Sequence, residues 1–210
     1  MISSTVALRA QRCQTSGMSH SPRLAVLGSG KGSNFVALQE AILAGKLDAQ
    51  IVLVASDLPD AAILTRATAF GLPTATLEPS PFKTKLSPEG ELALVDLLRR
   101  HGAEWVALAG YMRVVKEPLL DAFPNRVINI HPSLLPAFKG LRAWEQALAA
   151  GVAETGCTVH FVNRDIDAGE IIAQQRVPVL AGDTPETLHA RIQVAEHELY
   201  PAALRKVLGQ

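Results

Sequence analysis

A short apolar run ends in a glycine-rich turn in the segment Leu24-Ala25-Val26-Leu27-Gly28-Ser29-Gly30-Lys31-Gly32-Ser33-Asn34. Apolar residues at helical spacing follow the turn, namely Phe35, Leu38, Ala41 and Ile42. This pattern predicts a strand, a turn and a helix in succession. Apolar strands return at residues 51–55 and 105–109 and a short one at 74–77, with predicted helices ending near residue 70 and spanning 89–101. Unbroken apolar strands that alternate with helices are typical of a parallel sheet covered on both faces.

The C-terminal part has a different pattern. A strand over residues 126–130 leads into a proline-rich loop and a helix that ends near residue 150. Residues 155–162 and 171–179 then alternate in polarity, as strands do in a sheet with one covered face. Thr184, followed by Pro185, predicts the N-cap of a long final helix. We therefore expect one α/β domain over residues 23–210, with a mostly parallel central sheet flanked by helices and antiparallel strands toward the C-terminus.

The composition excludes several classes of function. Twenty Lys and Arg balance twenty Asp and Glu, whereas nucleic-acid-binding proteins usually carry a basic excess. No apolar run approaches the roughly 18 residues of a membrane span, and the two cysteines and six histidines show no zinc-ligand spacing. We expect small-molecule substrates, no nucleic acid, no membrane and no metal, in a reducing, cytoplasmic compartment. Composition leaves the oligomeric state open between a monomer and a homodimer.

Residues 1–22 differ from the rest of the chain. They contain Arg9 and Arg12, several Ser and Thr, and no acidic residue. They also lack the apolar segment of a secretory signal. We predict a disordered tail before the domain; a start site upstream of Met18 or an organelle transit segment are the alternatives.

The glycine-rich turn between the first strand and the first helix is a candidate anion site, because backbone N–H groups and the helix dipole converge there. Ser33 occupies the third glycine position of the dinucleotide fingerprint, and Asp57 is too distant to hold a ribose. Lys31 is followed by Gly32, which also breaks the P-loop pattern. The turn therefore predicts a cradle for one phosphomonoester, formed by Gly32, Ser33 and Asn34; the alternative is a Ser-capped turn without a ligand.

Three polar residues after the predicted fifth strand are the candidate catalytic groups. Asn129 and His131 are two residues apart, so they project from the same face of an extended strand end. An amide donor beside an imidazole is suited to stabilise an oxyanion while a proton moves. Asp167 lies on a polar loop between two strands; if it folds against His131, its charge is expected to raise the pKa of the imidazole. Each residue alone has a structural explanation, but their combination favours an enzyme.

The string Asn129-Ile130-His131-Pro132-Ser133-Leu134-Leu135-Pro136, with the glycine turn before it and Asp167-Ala168-Gly169 after it, resembles the folate-dependent formyltransferase family. The resemblance covers residues 23–209 and implies a Rossmann-like fold. Its nearest branch moves the formyl group of 10-formyltetrahydrofolate, a co-substrate, to the amine of 5-phosphoribosylglycinamide in purine synthesis. The resemblance implies the following site residues: catalytic Asn129, His131 and Asp167; ribonucleotide-binding Gly32, Ser33, Asn34, Gln193 and Glu196; and folate-binding Lys85, Met112, Arg113, Val114, Val115, Asn129 and Ile166. Helical spacing agrees for the final helix, where Gln193 and Glu196 fall together on a face apart from the stripe of Leu188, Ile192, Ala195 and Leu199.

The chain departs from the family pattern at a few positions. Lys31 replaces the more usual Asn of the glycine turn, and Arg142 and Trp144 stand where relatives often have histidines.

Three alternative functions compete with the main hypothesis. A 10-formyltetrahydrofolate hydrolase usually has a further N-terminal domain and a His-Ser pair in place of His131-Pro132, and methionyl-tRNA formyltransferase has a further C-terminal module and a basic surface. A non-catalytic nucleotide-binding module would need the glycine turn but not the three polar residues together.

Overall fold

The computed structural model describes residues 20–210, in which strands and helices alternate along most of the chain. In chain order the elements are β1 (Arg23–Leu27), α1 (Ser33–Leu43), β2 (Gln50–Ser56), α2 (Ala62–Ala69), β3 (Thr74–Thr76), α3 (Pro88–Arg100), β4 (Trp105–Leu108), α4 (Glu117–Ala122), β5 (Val127–His131), α5 (Ala143–Ala149), β6 (Glu154–Phe161), β7 (Ile171–Pro178) and α6 (Pro185–Val207). The prediction of a tail over residues 1–22 falls, for residues 1–19, outside the described residues and stays a prediction.

The strands form one sheet in the order β3-β2-β1-β4-β5-β6-β7. β3, β2, β1, β4 and β5 pair in parallel, while β6 pairs antiparallel with β5 and with β7. This confirms the predicted mixed sheet. The strand order reverses direction between β1 and β4, and ligands of open α/β sheets bind at such a switch point, beyond the carboxyl ends of the strands.

Both faces of the parallel part are buried, which explains its unbroken apolar strands. In β1, Leu24 and Val26 belong to one core cluster, whereas Ala25 and Leu27 belong to another on the opposite face. Helices α1 and α6 contribute to the first cluster, and α3 and α4 to the second. Alternate side chains of a strand point to opposite faces, so each strand is held from both sides.

The structure contains one helix that the pattern did not predict, α4, and one whose start it did, α6. The sequence pattern did not predict α4, because its six residues are too few to show a helical period. The final helix begins as predicted: the Thr184 side chain accepts from the Thr187 N–H at its N-terminus, with Pro185 in the first turn. Farther along α6, the fully buried Tyr200 hydroxyl lies 3.0 Å from the Leu108 carbonyl oxygen and 3.1 Å from that of Ile128. These contacts fix α6 to the end of β4 and to the first half of β5.

Within residues 20–210, no helix combines the length and the apolar character needed to cross a bilayer.

Candidate active site

The predicted site residues collect at the carboxyl ends of neighbouring parallel strands. The glycine turn follows β1, the segment Met112–Val115 follows β4, and Asn129 and His131 lie at the end of β5. Because adjacent strands are about 4.8 Å apart, the turn and the β5 residues are separated by roughly 10 Å, with β4 between them. The carboxyl ends of the parallel strands therefore present both the glycine turn and the β5 residues.

The three candidate catalytic residues lie together. Asp167 Oδ2 is 3.3 Å from His131 Nδ1, although 36 residues separate them in the sequence. The Asp167 backbone adopts a positive φ of 48°, and its carboxylate also accepts the Gly140 N–H at 2.8 Å. Asn129 is two residues from His131 on β5, as predicted. The loop that follows β6 thus folds back over the end of β5.

The protonation of His131 differs from the expectation. Its Nε2 lies 2.9 Å from the Phe138 carbonyl oxygen, which can only accept, so Nε2 carries a proton. Burial lowers the pKa of His131, and this effect outweighs the opposing effects of the Asp167 charge and the Phe138 carbonyl. The Asp167 charge raises the pKa of His131 as predicted, but burial makes the net direction downward. The imidazole is only 5% exposed, and desolvation disfavours its charged form.

His160 is a fourth member of this group that the sequence analysis missed. It lies opposite Asn129 in the β5–β6 pairing. Its Nδ1 is 2.8 Å from the Phe161 carbonyl oxygen and therefore carries a proton, which leaves Nε2 to accept the Asn129 amide at 3.2 Å. His160 thus fixes which end of the Asn129 amide donates. Only the register of the two strands reveals this contact.

Asp167 is ionised at the centre of the group. Burial alone would raise its pKa, but the neighbouring His160 and His131 imidazoles and the Gly140 N–H together lower the pKa below its usual value. Asp167 Oδ1 lies 3.6 Å from His160 Nε2. A carboxylate between two imidazoles can stabilise an added proton on either ring.

The glycine turn has the geometry of an anion site. Gly32 adopts a φ of 74°, and a Cβ there would lie 2.8 Å from the Ile63 Cα, so the position requires glycine. Since Gly32 is the N-cap residue, no side chain caps α1. The first-turn N–H groups of α1, beginning at Ser33, are the donors that an anion can accept from.

Asn34 and Glu196 join the glycine turn to α6. The Asn34 amide nitrogen donates to Glu196 Oε2 at 2.9 Å, and both residues are buried. The side-chain Oδ1 of Asn34 has no hydrogen-bond partner within residues 20–210. Burial raises the pKa of Glu196 to about 7, with the Asn34 hydrogen bond opposing the shift. Glu196 thus packs against α1 and is buried like the apolar stripe, while Gln193 is half-buried.

Most residues predicted to bind folate lie around one strip after β4. Lys85 pairs with Val114 in an isolated bridge, and the Val114 N–H donates to the Thr84 carbonyl at 2.8 Å. Met112 is exposed, whereas the Val115 side chain is buried in the core and leaves only its backbone for a ligand. Ile166 is exposed in the loop that carries Asp167. The Arg113 guanidinium is bound to Asp57 at 2.7 Å.

Two of the departures from the family pattern meet beside the glycine turn. Trp144 stacks on His189, with ring centroids 3.8 Å apart and planes 4° apart. Burial lowers the pKa of His189, and the nearby charge of Lys31 lowers it further. Arg142 is exposed and lies 3.4 Å from Glu145.

A cavity of about 390 Å³ also borders the glycine turn. It is lined by Ser29–Lys31 and Leu58–Ala62, and none of the three candidate catalytic residues lines it.

Comparisons with known proteins agree with this arrangement. A sequence profile described as formyl transferase matches residues 22–204. A phosphoribosylglycinamide formyltransferase of Bacillus subtilis is 43% identical over 187 residues, which cover 89% of this chain and 95% of that protein. The crystal structure of a glycinamide ribonucleotide transformylase from Symbiobacterium toebii superposes with a TM-score of 0.85 at 46% identity, over 89% of this chain and 87% of that one. A formyltetrahydrofolate deformylase from Pseudomonas syringae is 27% identical, with a TM-score of 0.83 over 90% of this chain and 62% of that one. The chain is therefore an enzyme of the formyl transferase family, as its Asn-Ile-His-Pro motif indicated.

Proposed function

We propose that this enzyme transfers the formyl group of 10-formyltetrahydrofolate to the amine of 5-phosphoribosylglycinamide, in cytoplasmic purine synthesis. The observation that carries the proposal is the 3.3 Å approach of Asp167 to His131, beside Asn129, at the strand edge that also holds the glycine turn. The similarity to the Bacillus subtilis and Symbiobacterium toebii enzymes supports the same substrates.

The ribonucleotide phosphate binds at the start of α1. Gly32, Ser33 and Asn34 offer backbone N–H groups there, and Lys31 adds a positive charge beside them. Glu196, Gln193 and the Asn34 side-chain Oδ1, which has no partner among residues 20–210, are the acceptors that we assign to the ribose hydroxyls and the glycinamide. This places the ribonucleotide amine toward the end of β5.

The folate binds along the strip after β4. The Met112 and Val114 side chains supply apolar surface for a planar ring, the Val115 backbone supplies peptide groups, and Arg113 belongs to the same strip. Lys85 supplies a positive charge for the carboxylates of the folate tail. Ile166, which belongs to the loop that carries Asp167, covers the other face of the folate ring. The formyl group then lies between the strip and Asn129.

The chemistry begins when the glycinamide nitrogen attacks the formyl carbon and the carbonyl oxygen becomes an oxyanion. Asn129 has two amide hydrogens, and one is engaged by His160, so the second donates to the oxyanion. His131 Nε2–H exchanges the Phe138 carbonyl for the oxyanion. The new negative charge favours uptake of a second proton from solvent at Nδ1, which Asp167 stabilises, and this proton returns to solvent when the intermediate collapses.

The proton balance closes through Asp167. Its lowered pKa keeps the carboxylate ionised, so it orders a water molecule that takes a proton from the attacking nitrogen. The same proton passes to N10 of the folate as the bond between the formyl carbon and N10 breaks. The products are the formylated ribonucleotide and tetrahydrofolate. Binding both substrates side by side removes much of the entropic barrier.

A spectrophotometric assay of tetrahydrofolate release, with and without 5-phosphoribosylglycinamide, tests the proposal. We expect release that requires the ribonucleotide and matches it in stoichiometry. Release that continues at the same rate without the amine would instead favour 10-formyltetrahydrofolate hydrolysis, the reaction of the deformylase neighbour. No release under either condition would contradict both.

A further inference from the structure

A buried ion pair connects three of the strand ends that border the site. Asp57 follows β2, and its carboxylate side chain is only 5% exposed. One of its oxygens accepts the Ser29 hydroxyl at 2.5 Å, and the other accepts Arg113 Nε at 2.7 Å. Ser29 follows β1 and Arg113 follows β4, so Asp57 holds the ends of three adjacent strands together.

Ser29 extends the network to the backbone of the proposed folate strip. Its hydroxyl oxygen accepts the Met112 N–H at 2.9 Å while the hydroxyl proton is donated to Asp57. Its own N–H donates to the Gly110 carbonyl at 3.0 Å. The strip after β4 is therefore tied to the glycine turn at two consecutive peptides.

Arg113 carries the network to the next segment. Its Nη1 donates to the Phe82 carbonyl and lies 3.5 Å from the Lys85 carbonyl oxygen. With Nε on Asp57 and Nη1 on these carbonyls, most of the guanidinium is directed into the protein, and the side chain is 14% exposed. A buried charge that loses its partner is strongly unfavourable, so Arg113 and Asp57 act as a unit.

We propose that Asp57, Ser29 and Arg113 are positioning residues that hold the strip 110–115 and the segment 80–86 in the arrangement that binds folate. This inference rests on the proposed function. It assigns Arg113 a role different from direct folate contact: the side chain orients the strip by binding Asp57. It also gives Asp57 a role other than holding a ribose.

A double-mutant cycle tests the coupling. Asp57→Asn and Arg113→Met each raise the KM for 10-formyltetrahydrofolate at least about tenfold, with the KM for the ribonucleotide within about twofold of wild type. The double variant is no worse than the worse single variant, since each change disables the same unit. Asp183→Asn is the matched control. It breaks a similarly enclosed pair with Arg191, at 2.8 Å, at the start of α6, and leaves the folate KM unchanged.

Multiplying effects on the folate KM in the double variant would show that Arg113 binds folate independently of Asp57 and would overturn the proposal. An unchanged folate KM in Asp57→Asn would overturn it too.

Hydrogen exchange of the ligand-free protein supplies a readout that does not depend on the reaction. Asp57→Asn speeds exchange of the Met112 and Val114 amides at least about tenfold, while Asp183→Asn does not. Unchanged exchange in Asp57→Asn would overturn the inference even if the formyl transfer is confirmed. Accelerated exchange in a protein without formyl transfer would refute only the proposed function.

Discussion

At the scale of single residues, Asp167 combines two contacts that its neighbours in the same loop lack. Its carboxylate faces His131 at 3.3 Å and accepts the Gly140 N–H, whereas Asp165 is exposed two residues earlier. Asp167→Asn removes the charge that stabilises the second proton on His131 and orders the proton-carrying water. We expect kcat to fall by about 100- to 10,000-fold.

Asp165→Asn makes the same chemical change in the same loop and should leave kcat within about threefold of wild type. Steady-state rates of both variants, with melting temperatures and ribonucleotide affinity measured alongside, separate catalysis from folding. Equal losses in the two variants would mean that loop charge in general, and not the contact with His131, supports turnover.

Glu196 makes the stability of the fold depend on pH. Burial raises its pKa from 4.5 to about 7, so between these values the folded state keeps a proton that the unfolded state has lost. The free energy of unfolding therefore falls as pH rises through this window. Glu196→Gln keeps an acceptor for Asn34 without the charge and is expected to be more stable than wild type at pH 8 by about 1–3 kcal/mol, with little difference at pH 4.5.

Urea denaturation at the two pH values measures this difference. Glu40→Gln, an exposed change on α1, is the control and should shift the free energy of unfolding by less than about 0.5 kcal/mol at either pH. A Glu196→Gln variant that loses stability at pH 8 would mean that the buried carboxylate is stabilised in its charged form.

At the scale of the elements, the start of α1 depends on the backbone of the glycine turn. Gly32 has a positive φ, and a Cβ there would meet the Ile63 backbone, whereas Gly45 beyond the other end of α1 has a positive φ of 66° with open space around it. Gly32→Ala should cost about 2–4 kcal/mol of stability, and Gly45→Ala about 1 kcal/mol. Chemical denaturation gives both values.

The same pair of variants tests the proposed phosphate cradle. Gly32→Ala must displace either the turn or α2, so the ribonucleotide KM should rise at least about tenfold, while Gly45→Ala leaves it unchanged. A normal KM in a folded Gly32→Ala variant would place the phosphate elsewhere.

Local patterns explain how much of the fold the sequence predicts. β1, the glycine turn and α1 follow from adjacent residues, and so does the capped start of α6. The helix α4 was missed because six residues show no period, and His160 was missed because only the β5–β6 register places it opposite Asn129. The net direction of the His131 pKa does not follow from the sequence, because burial, which depends on the whole fold, outweighs the raising effect of Asp167.

At the scale of the whole molecule, α6 packs on one face of the sheet and contacts both the start of α1 and the strands β4 and β5. Glu196 of this helix binds Asn34 at the start of α1, and the Tyr200 hydroxyl reaches the carbonyls of Leu108 at the end of β4 and Ile128 in β5. The glycine turn, β4 and β5 all belong to or follow strands of one sheet. A change that weakens the contacts of α6 should therefore lower the free energy of unfolding of the whole domain in one cooperative transition.

Tyr200→Phe tests this coupling, since it deletes a fully buried donor and leaves two carbonyl groups without it. We expect a loss of about 1–3 kcal/mol in the free energy of unfolding, with coincident transitions by tryptophan fluorescence and circular dichroism.

Tyr111→Phe is the matched control, because the Tyr111 hydroxyl is buried with no hydrogen-bond partner in the described part of the chain. Removing an unpaired buried hydroxyl should be neutral or stabilising. Equal losses in both variants would show that hydroxyl packing, and not the tie between α6 and the strands, supports the fold, and separated transitions would show that α6 unfolds apart from the sheet.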